Sequence, residues 1–151
     1  MIKDFIPQVE QKLNTEAIVS SPVFNLFKNL CSYNSKQIGF DELERLIKYD
    51  ADVKDKSAAY LSMKKAVGKR EADAQVKQKE LPAVSVQVIF NGAGKQMQHI
   101  LGFTSLAFSD IDDIDDVDAA FNQVIADPHT LMAYKTVGLE GLRIIYKCWL
   151  N

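Results

Sequence analysis

From Leu106 onward the spacing of apolar residues changes twice, and this restricts the topology more than any other feature of the chain. Leu106-Ala107-Phe108-Ser109-Asp110-Ile111 reads as a strand. A helix is predicted near 115–126, where Val117, Ala120, Phe121, Val124 and Ile125 share one stripe that Asp127-Pro128 ends. Residues 131–135 read as a strand again, as do 142–150 beyond the turn Val137-Gly138-Leu139-Glu140-Gly141. A strand, a crossover helix and a strand within about 30 residues form a βαβ unit, whose two strands run parallel with a right-handed crossover.

Upstream, Val84, Val86, Val88 and Phe90 alternate on one face of a strand over 83–90, and Asn91-Gly92-Ala93-Gly94 makes a turn before a strand at about 97–103. Short turns make these strands antiparallel neighbours. The expected fold is α+β: one mixed, mainly antiparallel sheet containing the βαβ unit, with helices on one face. Before the sheet core of 81–151 comes a mainly helical lead-in, 1–80, within a single domain. Residues 1–35 read as extended, with the cluster Val23-Phe24-Asn25-Leu26-Phe27. Asp41 and Glu44 give a capping-box start to a helix near 41–49. In 55–67, Ala59, Met63, Ala66 and Val67 form an apolar stripe that Gly68 ends. The polar, helix-favouring run 69–80 stops at Leu81-Pro82.

Composition sets outer limits. The chain of 151 residues is 47% hydrophobic and 25% charged, an ordinary globular balance, and no apolar stretch approaches the ~20 residues of a membrane span. Met1-Ile2-Lys3-Asp4-Phe5 carries an early acid and does not read as a secretory signal, so the expected compartment is the cytoplasm. Cys31 and Cys148, without CxxC spacing, read as reduced thiols of the structural, buried kind rather than zinc ligands. A net charge of -2 supplies no general attraction to nucleic acid, so such binding requires a local patch.

Two clusters carry the candidate chemistry. Six aspartates lie between 110 and 118. Asp110 and Asp112, one residue apart at a strand end, project from the same face and could share a magnesium or manganese ion, because such ions take one or two carboxylates plus substrate phosphates. The competing reading is solvation and helix capping, with Asp113 or Asp115 as the cap. The run is no EF-hand, lacking the glycine at position six and the glutamate at position twelve. Between 64 and 80 stand six bases against three acids. Lys64, Lys65, Lys69 and Arg70 form either a solvated helical face or a surface that tracks phosphates. His99 has no identifiable partner, and His129 reads as shaping its turn.

Lys79-Glu80-Leu81-Pro82-Ala83-Val84, Ser109-Asp110-Ile111-Asp112-Asp113, Ala126-Asp127-Pro128-His129-Thr130 and Gly141-Leu142-Arg143-Ile144-Ile145 occur in that order. Together these blocks resemble the N-terminal domain of virulence-associated protein E from bacterial mobile elements, which is similar to the archaeo-eukaryotic primase core. The resemblance implies a nucleic-acid-processing domain in which Asp110 and Asp112 are the catalytic, metal-holding acids. It also implies single-stranded DNA or RNA, a nucleotide and a helicase-like module as partners. The family's Ser-Gly-x-Gly-Leu-Lys stretch stands here as Val137-Gly138-Leu139-Glu140-Gly141-Leu142-Arg143, without its serine and with one extra residue. Arg143 takes the basic, phosphate-binding place. No third acidic motif follows before Asn151, so the chain reads as a domain excerpt or as a site that is incomplete. The alternative is a non-catalytic interaction module that joins a helicase-like or replication partner.

Overall fold

The computed structural model describes the backbone of Val9–Gln11 and residues 23–148, arranged as an α+β fold in two compact units. The Met1-to-Phe5 segment, Ser20-Ser21 and residues 149–150 of the last predicted strand lie outside the described residues.

The unit built on residues 105–148 holds β7 (Leu106–Ile111), α4 (Val117–Ala126), β8 (Thr130–Lys135) and β9 (Leu142–Lys147), together with β1 (Val9–Gln11). Its sheet has the order β1-β8-β9-β7, and every neighbouring pair is antiparallel. Because β7 and β8 both run against β9, they are parallel to each other, as the βαβ pattern predicts. They are not neighbours, however. The tight β8–β9 turn, closed by Thr136 N–H to the Gly141 carbonyl at 2.9 Å, folds β9 back alongside β8 and so places it in the slot between them. The α4 stripe packs as the sequence predicts: Phe121 is buried with Ala133, Leu142 and Ile144, and Val117, Ala120, Val124 and Ile125 surround them.

The second unit, 22–104, contains β2 (Phe24–Phe27), β3 (Ser35–Ile38), β4 (Ala83–Ser85), β5 (Val88–Phe90) and β6 (Ile100–Phe103). Its helices are α1 (Phe40–Tyr49), α2 (Ala51–Val67) and α3 (Lys69–Ala72), the last continued by a π turn over Asp73–Lys77. The strands form a three-stranded sheet β3-β2-β4 and a two-stranded sheet β5-β6, so the described strands make three sheets rather than one. The predicted strand over 83–90 divides in two. Thr104 Oγ1 donates to the Val86 carbonyl at 2.8 Å and Ser85 Oγ to the Val88 carbonyl at 2.8 Å, where the chain leaves β2 for β6. Asn25, fully buried, ties the two sheets: its Nδ2 donates to Ser35 Oγ at 2.9 Å and to the Phe90 carbonyl at 3.0 Å, and its Oδ1 accepts from Phe90 N–H at 2.7 Å. A buried amide with its hydrogen bonds met costs little, whereas one left unmet is expensive.

Three local readings need correction. The cap of α1 is Gly39, with no side-chain hydrogen bond, so Asp41 lies inside the first turn and Glu44 pairs with Lys48 at 2.6 Å instead of closing a capping box. In α2, which Asp50 caps by accepting from Val53 N–H at 2.9 Å, the buried positions are Ser57 and Tyr60. Ala59, Ala66 and Val67 are exposed, because Tyr60 turns inward and its hydroxyl donates to Asp73 Oδ1 at 2.9 Å. Both cysteines are exposed rather than buried, Cys31 in the turn after β2 and Cys148 just past the end of β9. Gly68 does end α2, in a positive-φ conformation (+99°) that only glycine adopts freely.

Candidate functional site

Register brings Asp110, Arg143 and Tyr134 into one row across three adjacent strands. Asp110 on β7 faces Arg143 on β9, which in turn faces Tyr134 on β8. The Arg143 Nε lies 3.3 Å from each Asp110 carboxylate oxygen, and its Nη2 lies 3.3 Å from Oδ2. These contacts are longer than a tight charge-assisted pair, yet they occupy both oxygens of the carboxylate. Burial opposes the charge of Arg143, but Tyr134 and Asp110 together outweigh it and hold the guanidinium above its ordinary value. Burial likewise pushes the Tyr134 phenol up, against the pull of Arg143.

The sequence pairs Asp110 with Asp112, whereas the structure pairs it with Arg143. Strand geometry ends at Ile111, and Asp113 takes a positive φ of 56°, so the chain turns directly after Asp112. There Asp112 lies against the β8–β9 turn. A Cβ built on Gly141 would come 2.4 Å from the Ile111 carbonyl oxygen and 3.2 Å from Asp112 Oδ1, so glycine is what allows the two segments to approach. Ile114 N–H to the Glu140 carbonyl, 2.8 Å, fixes the same approach. Further along, Asp116, not Asp113 or Asp115, caps α4 by accepting from Ala119 N–H at 2.9 Å, and Asp118 pairs with Lys135.

Magnesium or manganese at this place would draw on Asp110 and Asp112. Among the described residues no group of three His, Cys, Asp or Glu side chains is placed to hold a metal, and one of the two candidate carboxylates already faces a cation. An open groove of about 430 Å³ in this unit lies on the helix side, against Val124, His129 and Tyr146, and neither Asp110 nor Arg143 lines it.

The basic residues sit elsewhere in the chain, around Gly68. Lys65, Lys69 and Arg70 are exposed and make no ion pair among the described residues, whereas Lys64 is half-buried and has a partner. His129 shapes its turn as predicted: its backbone N–H and its Nδ1 both meet Asp127 Oδ1, at 2.8 and 2.9 Å. Tyr134 is the residue that sequence reasoning missed. Its place beside Arg143 depends on strand register, for which the periodicity of β8 holds no signal.

Residues 75–150, half of the chain, match the family model described as BT4734-like, N-terminal domain. The chain belongs to this family. Asp110, Arg143 and Tyr134 all fall within the span that defines a BT4734-like N-terminal domain, while Lys64, Lys65, Lys69 and Arg70 precede it. No curated protein and no solved structure matches the chain.

Proposed function

We propose that the chain is a primase-like nucleic-acid-processing domain of a mobile element that acts by binding rather than by nucleotidyl transfer. The observation that carries this reading is the pairing of Arg143 with both oxygens of Asp110. It engages the carboxylate that would hold a metal and the guanidinium that would hold a phosphate. The resemblance of residues 79–146 to the virulence-associated protein E domain supports the nucleic-acid context.

Contact with single-stranded DNA or RNA falls to Lys65, Lys69 and Arg70, which are exposed and make no ion pair among the described residues, with Lys64 beside them. Cations on such a face displace counterions from the phosphate backbone, which makes binding weaken as salt rises. The aspartate-rich loop, by contrast, repels a polyanion. A helicase-like module fits as the partner that performs the chemistry.

Fluorescence anisotropy with a labelled single-stranded oligonucleotide, read across a salt series, tests the binding. Lys69→Glu with Arg70→Glu should weaken it and flatten its salt slope, and an unchanged slope defeats this placement. Calorimetry with magnesium and manganese tests the other half. Saturable heat in the wild type that Asp110→Ala abolishes would overturn the non-catalytic reading.

A further inference from the structure

Helix α4 stops at Ala126, and β9 passes beneath that end of it, with Tyr146 the register partner of Thr130. The open groove of about 430 Å³ lies here. Tyr146 and Ile144, two residues apart on one face of β9, line it from the sheet, and Gln123 and Val124 line it from the helix. The Tyr146 hydroxyl meets Ser109 Oγ at 3.1 Å, a contact that holds the ring in place.

His129 lines the same groove in a fixed orientation, because Asp127 Oδ1 accepts from its backbone N–H at 2.8 Å and from its Nδ1 at 2.9 Å. A carboxylate oxygen only accepts, so Nδ1 carries the proton and Nε2 of the neutral ring is an acceptor. The His129 side chain is 59% exposed, which leaves Nε2 accessible. An imidazole already fixed in this way loses little rotamer freedom when a ligand binds. The exposed Gln123 amide adds a donor and an acceptor. No lysine or arginine among the described residues lines the groove, and the last turn of α4, whose carbonyls carry partial negative charge, contains no basic residue. A phosphate would find no permanent cation there.

We infer that this groove binds an uncharged planar heterocycle with a ring N–H beside a carbonyl, of the uracil or guanine kind, as a phosphate-free base or nucleoside. The ring N–H donates to His129 Nε2 and the adjoining carbonyl accepts from the Gln123 amide. The faces of the ring lie against Tyr146, Val124 and Ile144, and stacking on the aromatic ring supplies affinity. Cytosine is rejected, because its corresponding ring nitrogen is an acceptor and meets Nε2 lone pair to lone pair. The groove has the make-up of a small-ligand site, apolar walls with a few polar groups that fix orientation, and its volume is at the lower end for such sites. The inference stands independently of the proposed function, whose Lys65, Lys69 and Arg70 belong to the other unit.

An NMR titration of the isotope-labelled chain with uridine, carried to about 10 mM to cover the weak affinity of so small a ligand, tests it. The backbone amide signals of Gln123, Val124, His129 and Tyr146 should shift together and saturate. Cytidine, and uridine methylated at its ring N–H, should bind at least about tenfold more weakly, since a site built to accept that hydrogen bond is left unpaired by either. His129→Phe keeps a ring at this exposed position but removes Nε2, and it should abolish the shifts while the circular-dichroism spectrum stays that of the wild type. Absence of saturable shifts with uridine overturns the inference, as does undiminished binding of the methylated nucleoside or undiminished binding by His129→Phe. Uridine monophosphate should bind no more tightly than uridine. Tighter binding of the monophosphate, or shifts at these residues with a single-stranded oligonucleotide but not with uridine, would overturn the phosphate-free assignment and make the groove part of a strand-binding surface.

Discussion

Asp110 and Arg143 stand directly opposite each other on neighbouring antiparallel strands, with Arg143 Nε equidistant, at 3.3 Å, from both carboxylate oxygens. Solvent reaches both side chains, which are 41% and 31% exposed. Water therefore screens the pair, and a partly exposed ion pair contributes at most about 1 kcal/mol. A double-mutant cycle of Asp110→Asn and Arg143→Gln in urea denaturation should give a coupling energy no larger than that. A coupling well above it would make the pair a structural clamp.

The aspartates of the loop should separate by role. Asp116 accepts a hydrogen bond from Ala119 N–H and caps α4, so Asp116→Ala is expected to cost about 1 kcal/mol. Asp112 caps no helix and belongs to a crowded acidic run, where removing one charge relieves repulsion from its neighbours. Asp112→Ala should leave the melting temperature unchanged or slightly raised in chelator. Paired thermal melts check both, and a clear loss for Asp112→Ala would identify a structural carboxylate.

Phe121 is the centre of the contact between α4 and the sheet, buried with Ala133, Leu142 and Ile144. Truncating a buried phenylalanine to alanine removes its transfer free energy and leaves a cavity, at a cost of ~3–5 kcal/mol. That is a large share of the ~5–15 kcal/mol that holds a small domain folded. Phe121→Ala should unfold at much lower denaturant concentration than the wild type, while substitutions at exposed Asp110 should not.

Tyr134 supplies the pH dependence. Burial raises its phenol above the ordinary value of about 10, so the folded chain holds this proton more tightly than the unfolded chain. The associated stability is fully present below about pH 10 and is lost as pH rises through the folded value. Melts between about pH 9 and pH 11 should fall more steeply for the wild type than for Tyr134→Phe, which has no proton to lose. Parallel curves for the two proteins would contradict this assignment.

Much of the local structure was readable from residue order. The α4 stripe, the Gly68 stop, and the strands β7, β8 and β9 follow from apolar period and from residues with particular backbone preferences, and these act over a few positions. The capping of α1 and the inward face of α2 did not follow. In each case a tertiary contact, such as the Tyr60 hydroxyl on Asp73, outweighed a weak local preference.

By itself the sequence determined most of the helices and strands after Phe40, though not the break within 83–90 or the helical turn at Met97–His99, and that Asp110, Asp112 and Arg143 stand near element ends, because period and turn chemistry are properties of neighbouring residues. Only the tertiary structure decided that β9 enters between β7 and β8, and with that insertion the chemistry of the row. Register sets which side chains face one another across strands, and it is fixed by hydrogen bonding between segments that lie far apart in the chain. An acid that reads as half of a metal site along the strand therefore becomes, across the sheet, the counterion of Arg143 beside Tyr134.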